Sequence, residues 1–87
     1  MKSFQYTIKD PAGLHTRPVG KIVNEIKKYS SQVIIKITED KFADARKLLE
    51  IMKLNIKSNT EINIIVNGSD EDMVVQNLKL FFEENKF

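Results

Sequence analysis

The sequence has no cysteine among its 87 residues. Disulfide bonds, thiol catalysis and cysteine-based metal sites are therefore excluded together. Long hydrophobic runs are also missing, because no uninterrupted apolar run exceeds three residues, and no segment is apolar enough to span a bilayer. The first ten residues alternate polar and apolar side chains and lack the apolar stretch of a signal peptide. We therefore expect a cytoplasmic protein that does not insert into membranes.

An excess of charge of one sign is absent as well. The chain has 14 Lys and Arg against 12 Asp and Glu, which leaves a formal net charge of +2. The basic residues are spread among the acids, and no cluster combines basic with aromatic side chains, so a nucleic-acid partner is not expected. With 41% hydrophobic and 30% charged residues, the composition is that of one compact domain spanning residues 1–87.

Three segments show the alternation of apolar and polar side chains that is typical of half-buried strands. Their apolar positions are Phe4, Tyr6 and Ile8, then Val33, Ile35 and Ile37, and finally Ile62, Ile64 and Val66. A short further strand is predicted around Phe42 and Ala43. The residues Asp10-Pro11-Ala12-Gly13 predict a turn after the first strand.

Three amphipathic helices are predicted between and after these strands. The first runs from Thr16 to about Lys28, the second follows Asp44 as its N-cap, and the third begins after Ser69 as its N-cap. The order is thus β-α-β-β-α-β-α. Strands with one apolar face, interleaved with helices, predict an α+β fold of two layers, with all helices on one side of the sheet.

The hexapeptide GLHTRP at residues 13–18 concentrates the residues that carry chemistry. Proline fits the first turn of a helix, so Pro18 places His15, the only histidine, at the N-cap of the first helix. The free main-chain N–H groups of Thr16 and Arg17, with the Arg17 guanidinium, then form an anion site beside the imidazole. A nucleophile next to oriented donors and a fixed cation suits phosphoryl transfer.

A histidine at this place could also do no more than cap the helix. GLHTRP, however, closely resembles the active-site sequence of HPr, the phosphocarrier family of the bacterial phosphotransferase system. The resemblance extends over nearly the whole chain, including the order of elements, the pattern of residues 48–54 and the Asn-Gly followed by acids at residues 67–72. It implies an open-faced β-sandwich, with three helices on one face of a four-stranded, mainly antiparallel sheet.

The resemblance also implies a function. In the family, histidine Nδ1 accepts a phosphoryl group from enzyme I, which phosphoenolpyruvate charges, and passes it to sugar-specific A components during sugar uptake. By position, His15 is then the phosphoacceptor, Arg17 its charge partner, and the main chain of Thr16 and Arg17 binds the phosphate. No cofactor and no metal are implied. The chain is expected to be a monomer, and a carrier with a phosphohistidine intermediate rather than a stand-alone enzyme.

A partner-docking surface is expected on the second helix and beside it on the first. Its predicted members are Gly20, Arg46, Lys47, Leu48, Leu49 and Met52. So short a helix cannot bury every apolar residue, and we expect Ala45, Leu49 and Met52 to face the core while Leu48 stays exposed.

The sequence departs from the family at several positions. Lys47 stands where many Gram-positive members have a regulatory serine, Gly20 stands where alanine or threonine is common, and Asn55 replaces a common glycine. Asparagine adopts the left-handed conformation more readily than most residues, so the last change is tolerable. An HPr-like regulatory module that binds other partners is therefore the alternative function.

Overall fold

The computed structural model describes all 87 residues, and its elements follow the predicted order. They are β1 (Lys2–Thr7), α1 (Thr16–Ile26), β2 (Gln32–Thr38), β3 (Lys41–Asp44), α2 (Leu48–Lys53), β4 (Glu61–Asn67) and α3 (Glu71–Asn85). None of the helices is both long enough and apolar enough to cross a bilayer.

The four strands form one sheet in the order β1-β4-β2-β3, and every neighbouring pair is antiparallel. The register places Phe4 opposite Ile64, and Ile64 opposite Ile35. Because side chains alternate between the two faces of a strand, these three residues share one face, and all are buried. Gln5 and Lys36 belong to the opposite, open face. The predicted open-faced sandwich is therefore confirmed.

Phe82 connects the last helix to the sheet. Its ring is fully buried and makes edge-to-face contacts with Tyr6, Phe4 and Phe87, at centroid distances of 5.1, 6.1 and 5.3 Å. Edge-to-face pairs of this kind add about 0.5–1.5 kcal/mol each beyond the burial of their area. The C-terminal end of α3 is thus a firmly packed part of the core.

The last residues return to the segment that follows β1. Lys86 adopts the left-handed conformation (φ 55°) at the end of α3, which turns the chain so that Phe87 packs inward. The main-chain oxygen of Phe87 accepts hydrogen bonds from the N–H groups of Lys9 and Asp10 at 2.9 and 2.8 Å. This connection fixes the start of the segment that leads to His15.

The structure corrects the predicted start of α2. Asp44 is the last residue of β3, where it pairs with Ile34, and Lys47 takes the N-cap position of α2. Ala45 cannot belong to the helix, because its N–H donates to the main-chain oxygen of Val33 at 2.9 Å. The tertiary pairing of β3 therefore overrides the helix-capping tendency of the aspartate.

The bounds of the other two helices differ slightly from prediction. Helix α1 ends at Ile26 rather than at about Lys28. Asp70, and not Ser69, is the N-cap of α3, and its carboxylate accepts hydrogen bonds from the Ser31 hydroxyl and from the N–H of Ser30. Asp70 thus connects the start of α3 to the segment before β2, a contact between distant parts of the chain.

Candidate functional site

The segment before α1 is shaped by a glycine that no other residue could replace without strain. Gly13 has a φ of 72°, and an added Cβ would lie 2.4 Å from the main-chain oxygen of Ile56. The next residue, Leu14, is buried and donates its N–H to that same oxygen at 2.9 Å. Gly13 and Leu14 therefore fasten this segment to the core, and His15 follows at the surface.

His15 occupies the predicted N-cap position of α1. Its backbone is extended (φ −89°, ψ −173°), and its carbonyl oxygen accepts the N–H of Val19 at 3.2 Å. No side chain caps the helix, and the first turn contains no acidic residue. The first N–H groups of a helix have no acceptor within it, and the helix dipole is positive there, so this end of α1 favours a bound anion.

The imidazole of His15 is partly exposed, with 42% of its side chain accessible, and one carboxylate lies close to it. Oδ2 of Asp10 lies 3.4 Å from Nε2 of the ring. Nδ1 is thus the ring nitrogen that Asp10 does not contact. A histidine that is both accessible and held from one side can offer its other nitrogen to a phosphorus atom.

A shallow, open pocket lies beside the ring and is mainly polar. It is formed by the segment after β1, the first two turns of α1 and the end of α3. Its lining consists of Asp10, His15, Arg17, Pro18, Lys21, Asn85 and Phe87. Arg17 is exposed and has no carboxylate partner, so its guanidinium is available to an incoming anion.

Of the predicted site residues, His15 and Arg17 line this pocket, and Thr16 is the first residue of α1 without lining it. Asp10 is not among the predicted site residues. The sequence predicts Asp10 only as part of a turn, and the turn is present, since Oδ1 of Asp10 accepts the N–H of Ala12 at 2.9 Å. Lys21 was missed although it follows Arg17 by four residues, a spacing that places both on one side of a helix. Asn85 and Phe87, at the end of α3 and after it, also line the pocket, and nothing in the neighbouring sequence predicts this.

Helix α2 exposes a different leucine from the one expected. Leu49 is 73% exposed, so its assignment to the core is wrong, and Ile51 is buried in its place. Leu48 is 36% exposed, as predicted, and Met52 is half-buried against the core. A six-residue helix with apolar residues on several sides can be rotated in more than one way, and its packing beside α1 and β3 selects the rotation.

The two cations before α2 have different surroundings. Nη2 of Arg46 donates to the main-chain oxygens of Tyr29 and Ser31 at 2.6 and 3.0 Å, so this guanidinium holds the segment after α1 in place. Lys47 is exposed, with its Nζ 3.5 Å from a carboxylate oxygen of Glu50. Of the two, only Lys47 presents its charge mainly to solvent.

The chain is similar to known proteins over nearly its whole length. Residues 2–84 match the family model described as "PTS HPr component phosphorylation site". The phosphocarrier protein HPr of Mycoplasma genitalium is 33% identical over 86 residues, which cover 99% of this chain and 98% of that protein. A solved mycoplasmal histidine-containing phosphocarrier protein superposes with a TM-score of 0.91 at 32% identity, covering 98% of this chain and 96% of the other.

A solved HPr dimer from Thermoanaerobacter tengcongensis is also similar. Its TM-score is 0.74 at 28% identity, and the likeness covers 100% of this chain and 99% of that one. The fold and the family match together define a small phosphocarrier domain. The chain belongs to the HPr family of the phosphotransferase system.

Proposed function

We propose that the chain accepts a phosphoryl group from phosphorylated enzyme I on Nδ1 of His15, and donates it to sugar-specific A components during sugar uptake. The observation that carries this proposal is the accessible His15 ring at the N-terminus of α1, within a pocket that includes the unpaired Arg17. Membership of the HPr family supports the same activity.

Each part of the site has a distinct task in this transfer. The Nδ1 lone pair of His15 attacks phosphorus, and the N–H groups of Thr16 and Arg17 offer hydrogen bonds to the phosphoryl oxygens. The Arg17 guanidinium offsets the negative charge that gathers on those oxygens in the transition state. No large conformational change is required, because α1 and its N-cap are already formed.

We further propose that partners dock beside the histidine on α2 and the neighbouring part of α1. The surface consists of Gly20, Lys47, Leu48, Leu49 and Met52. Leu49 is its most exposed apolar member, and Lys47 supplies positive charge at its border. Such a surface fits a partner with an apolar patch and an acidic rim, whose attraction weakens as salt screens it. Arg46 is left out of this surface, because its guanidinium binds the main-chain oxygens of Tyr29 and Ser31.

Two further proposals concern the oligomeric state of the protein and its location in the cell. We propose a monomer, because the apolar core of 22 residues is formed within one chain. Size-exclusion chromatography with light scattering tests this at several concentrations. A stable dimer, as in the Thermoanaerobacter relative, would contradict it. We also propose a cytoplasmic location, which membership of the HPr family supports.

The decisive experiment is phosphorylation with enzyme I and labelled phosphoenolpyruvate, followed by transfer to A components. Mass spectrometry should find one acid-labile phosphate per chain, and none in His15→Ala. Asn85→Ala is a matched control, because it changes the same pocket without removing the acceptor. Phosphate on His15→Ala would refute the assignment. A chain that binds enzyme I yet accepts no phosphate would favour the regulatory alternative.

A further inference from the structure

Hydrogen bonds within the chain fix the position of Asp10. Its N–H donates to the main-chain oxygen of Phe87, and its carbonyl oxygen accepts the N–H of Gly13, both at 2.8 Å. Its Oδ1 accepts the N–H of Ala12 at 2.9 Å, so the side chain is oriented as well as the backbone. One carboxylate oxygen, Oδ2, is left to face the imidazole of His15.

Oδ2 lies 3.4 Å from Nε2 of His15. An ionised carboxylate can only accept hydrogen bonds, so its presence favours the tautomer of His15 that carries the proton on Nε2. The lone pair then lies on Nδ1. The separation is long for a hydrogen bond, which suits a contact that tightens when the ring becomes charged.

The charged side chains that line the pocket support the same interpretation of Asp10. Asp10 has the pocket's only acidic side chain, beside the basic side chains of Arg17 and Lys21. A carboxylate repels a phosphate, so anion binding does not account for the position of Oδ2. Oδ1 makes the turn contact with Ala12, whereas Oδ2 faces the ring nitrogen of His15.

We propose that Asp10 is a positioning residue that keeps the proton of His15 on Nε2 and balances the positive charge that the ring gains on phosphorylation. This inference rests on the proposed function of His15. The Nδ1 lone pair forms the bond to phosphorus, while the bond from phosphorus to the donor breaks and its electron pair stays with the donor atom. Nε2 keeps its proton, so the phosphorylated ring is a cation beside the Asp10 carboxylate. In onward transfer the N–P electron pair returns to Nδ1, and the ring becomes neutral again without moving a proton.

The test uses Asp10→Asn, which retains an oxygen for the N–H of Ala12 but turns a donor NH₂ group toward Nε2. Heteronuclear NMR of the ring nitrogens reports the tautomer, and the signals are unambiguous because the chain has a single histidine. We expect the variant to shift toward the form protonated on Nδ1. Phosphorylation by phosphoramidate, a small donor that needs no docking surface, should slow about tenfold, the lower end of the loss seen when a residue that orients a metal-binding histidine is replaced.

Asp44→Asn is the matched control, because Oδ1 of Asp44 accepts the N–H of Arg46 at 2.9 Å in the same type of turn, away from His15. It should change neither measurement. If Asp10→Asn does not fold, Asp10→Ser keeps a shorter acceptor for the turn and should show the same slowing. An unchanged tautomer ratio or an unchanged rate in a folded Asp10 variant overturns the role of Asp10. Failure of the wild-type chain to accept phosphate on His15 overturns the proposed function itself.

Discussion

Gly13→Ala should destabilise the protein, whereas the same substitution at Gly20 should stabilise it. At Gly13, the positive φ of 72° costs an L-residue about 1–2 kcal/mol. The added Cβ would also lie 2.4 Å from the main-chain oxygen of Ile56. That oxygen accepts the N–H of Leu14, and losing this hydrogen bond costs about 0.5–1.5 kcal/mol more. We expect a total loss of about 1.5–3.5 kcal/mol, which lowers the Tm of a domain of this size by about 6–28 °C.

Gly20 is the matched control because it lies inside α1 with no atom within 4 Å of an added Cβ. Alanine there gains helix propensity of about 0.5–1 kcal/mol, so Tm should rise by about 2–8 °C. Gly13→Asn separates the two costs at the first position, since asparagine tolerates a positive φ but carries the same Cβ. It should fall between wild type and Gly13→Ala.

Thermal unfolding followed by circular dichroism measures all three variants. The Gly13 variants should also accept phosphate more slowly, because the strained segment immediately precedes His15. A Tm of Gly13→Ala within about 2 °C of wild type, well below the expected shift, would show that the reasoning about this segment is wrong.

Arg17→Ala should slow phosphoryl transfer without changing Tm. Arg17→Lys should restore only part of the rate, because lysine keeps the charge but not the planar donors. Equal transfer rates in the wild type and both variants would contradict this role. Leu49→Glu should weaken binding to enzyme I, measured by calorimetry, and change the free energy of unfolding by no more than about 0.5 kcal/mol. Ile51→Ala should lower the free energy of unfolding by about 2–5 kcal/mol, measured by chemical unfolding. A larger loss of stability in Leu49→Glu than in Ile51→Ala would place Leu49 in the core. The hydrogen bond from the Ser31 hydroxyl, helped by the N–H of residue 30, lowers the pKa of Asp70. Because the pKa is lowered in the folded state, this stabilisation is present above the ordinary aspartate range and is lost as the pH falls through the folded pKa. In Asp70→Asn the free energy of unfolding should therefore fall less steeply on the acid side of its pH dependence. An unchanged acid side would refute the contribution of Asp70.

The strands and the position of the histidine could be predicted from local sequence alone. Alternation at Phe4 and Tyr6, and at Ile62 and Ile64, decides which side of each strand is buried, because a one-residue slip would turn every apolar side chain to solvent. Pro18 decides where α1 begins, because its fixed φ suits the first turn and its missing N–H costs little there. These signals depend on residues adjacent in the chain.

Asn55 is a further case in which local chemistry was sufficient. The residue adopts a positive φ of 51° after α2, in agreement with the tolerance of asparagine for that conformation. Helix α2 itself shows the limit of such reasoning. Its six residues make fewer than two turns, so periodicity could not decide between Leu49 and Ile51, and packing against neighbouring elements did.

By itself, the sequence determined the order of elements, the apolar face of the sheet and the exposed histidine at the start of α1. Only the tertiary structure decided that Asp10 faces Nε2 of His15, that Arg46 binds the main chain after α1, and that Phe87 supports the segment before the histidine. The physical reason is the range of each interaction. Periodicity and helix capping act between residues a few positions apart, whereas these contacts form only when distant segments are brought together by burial of the common core.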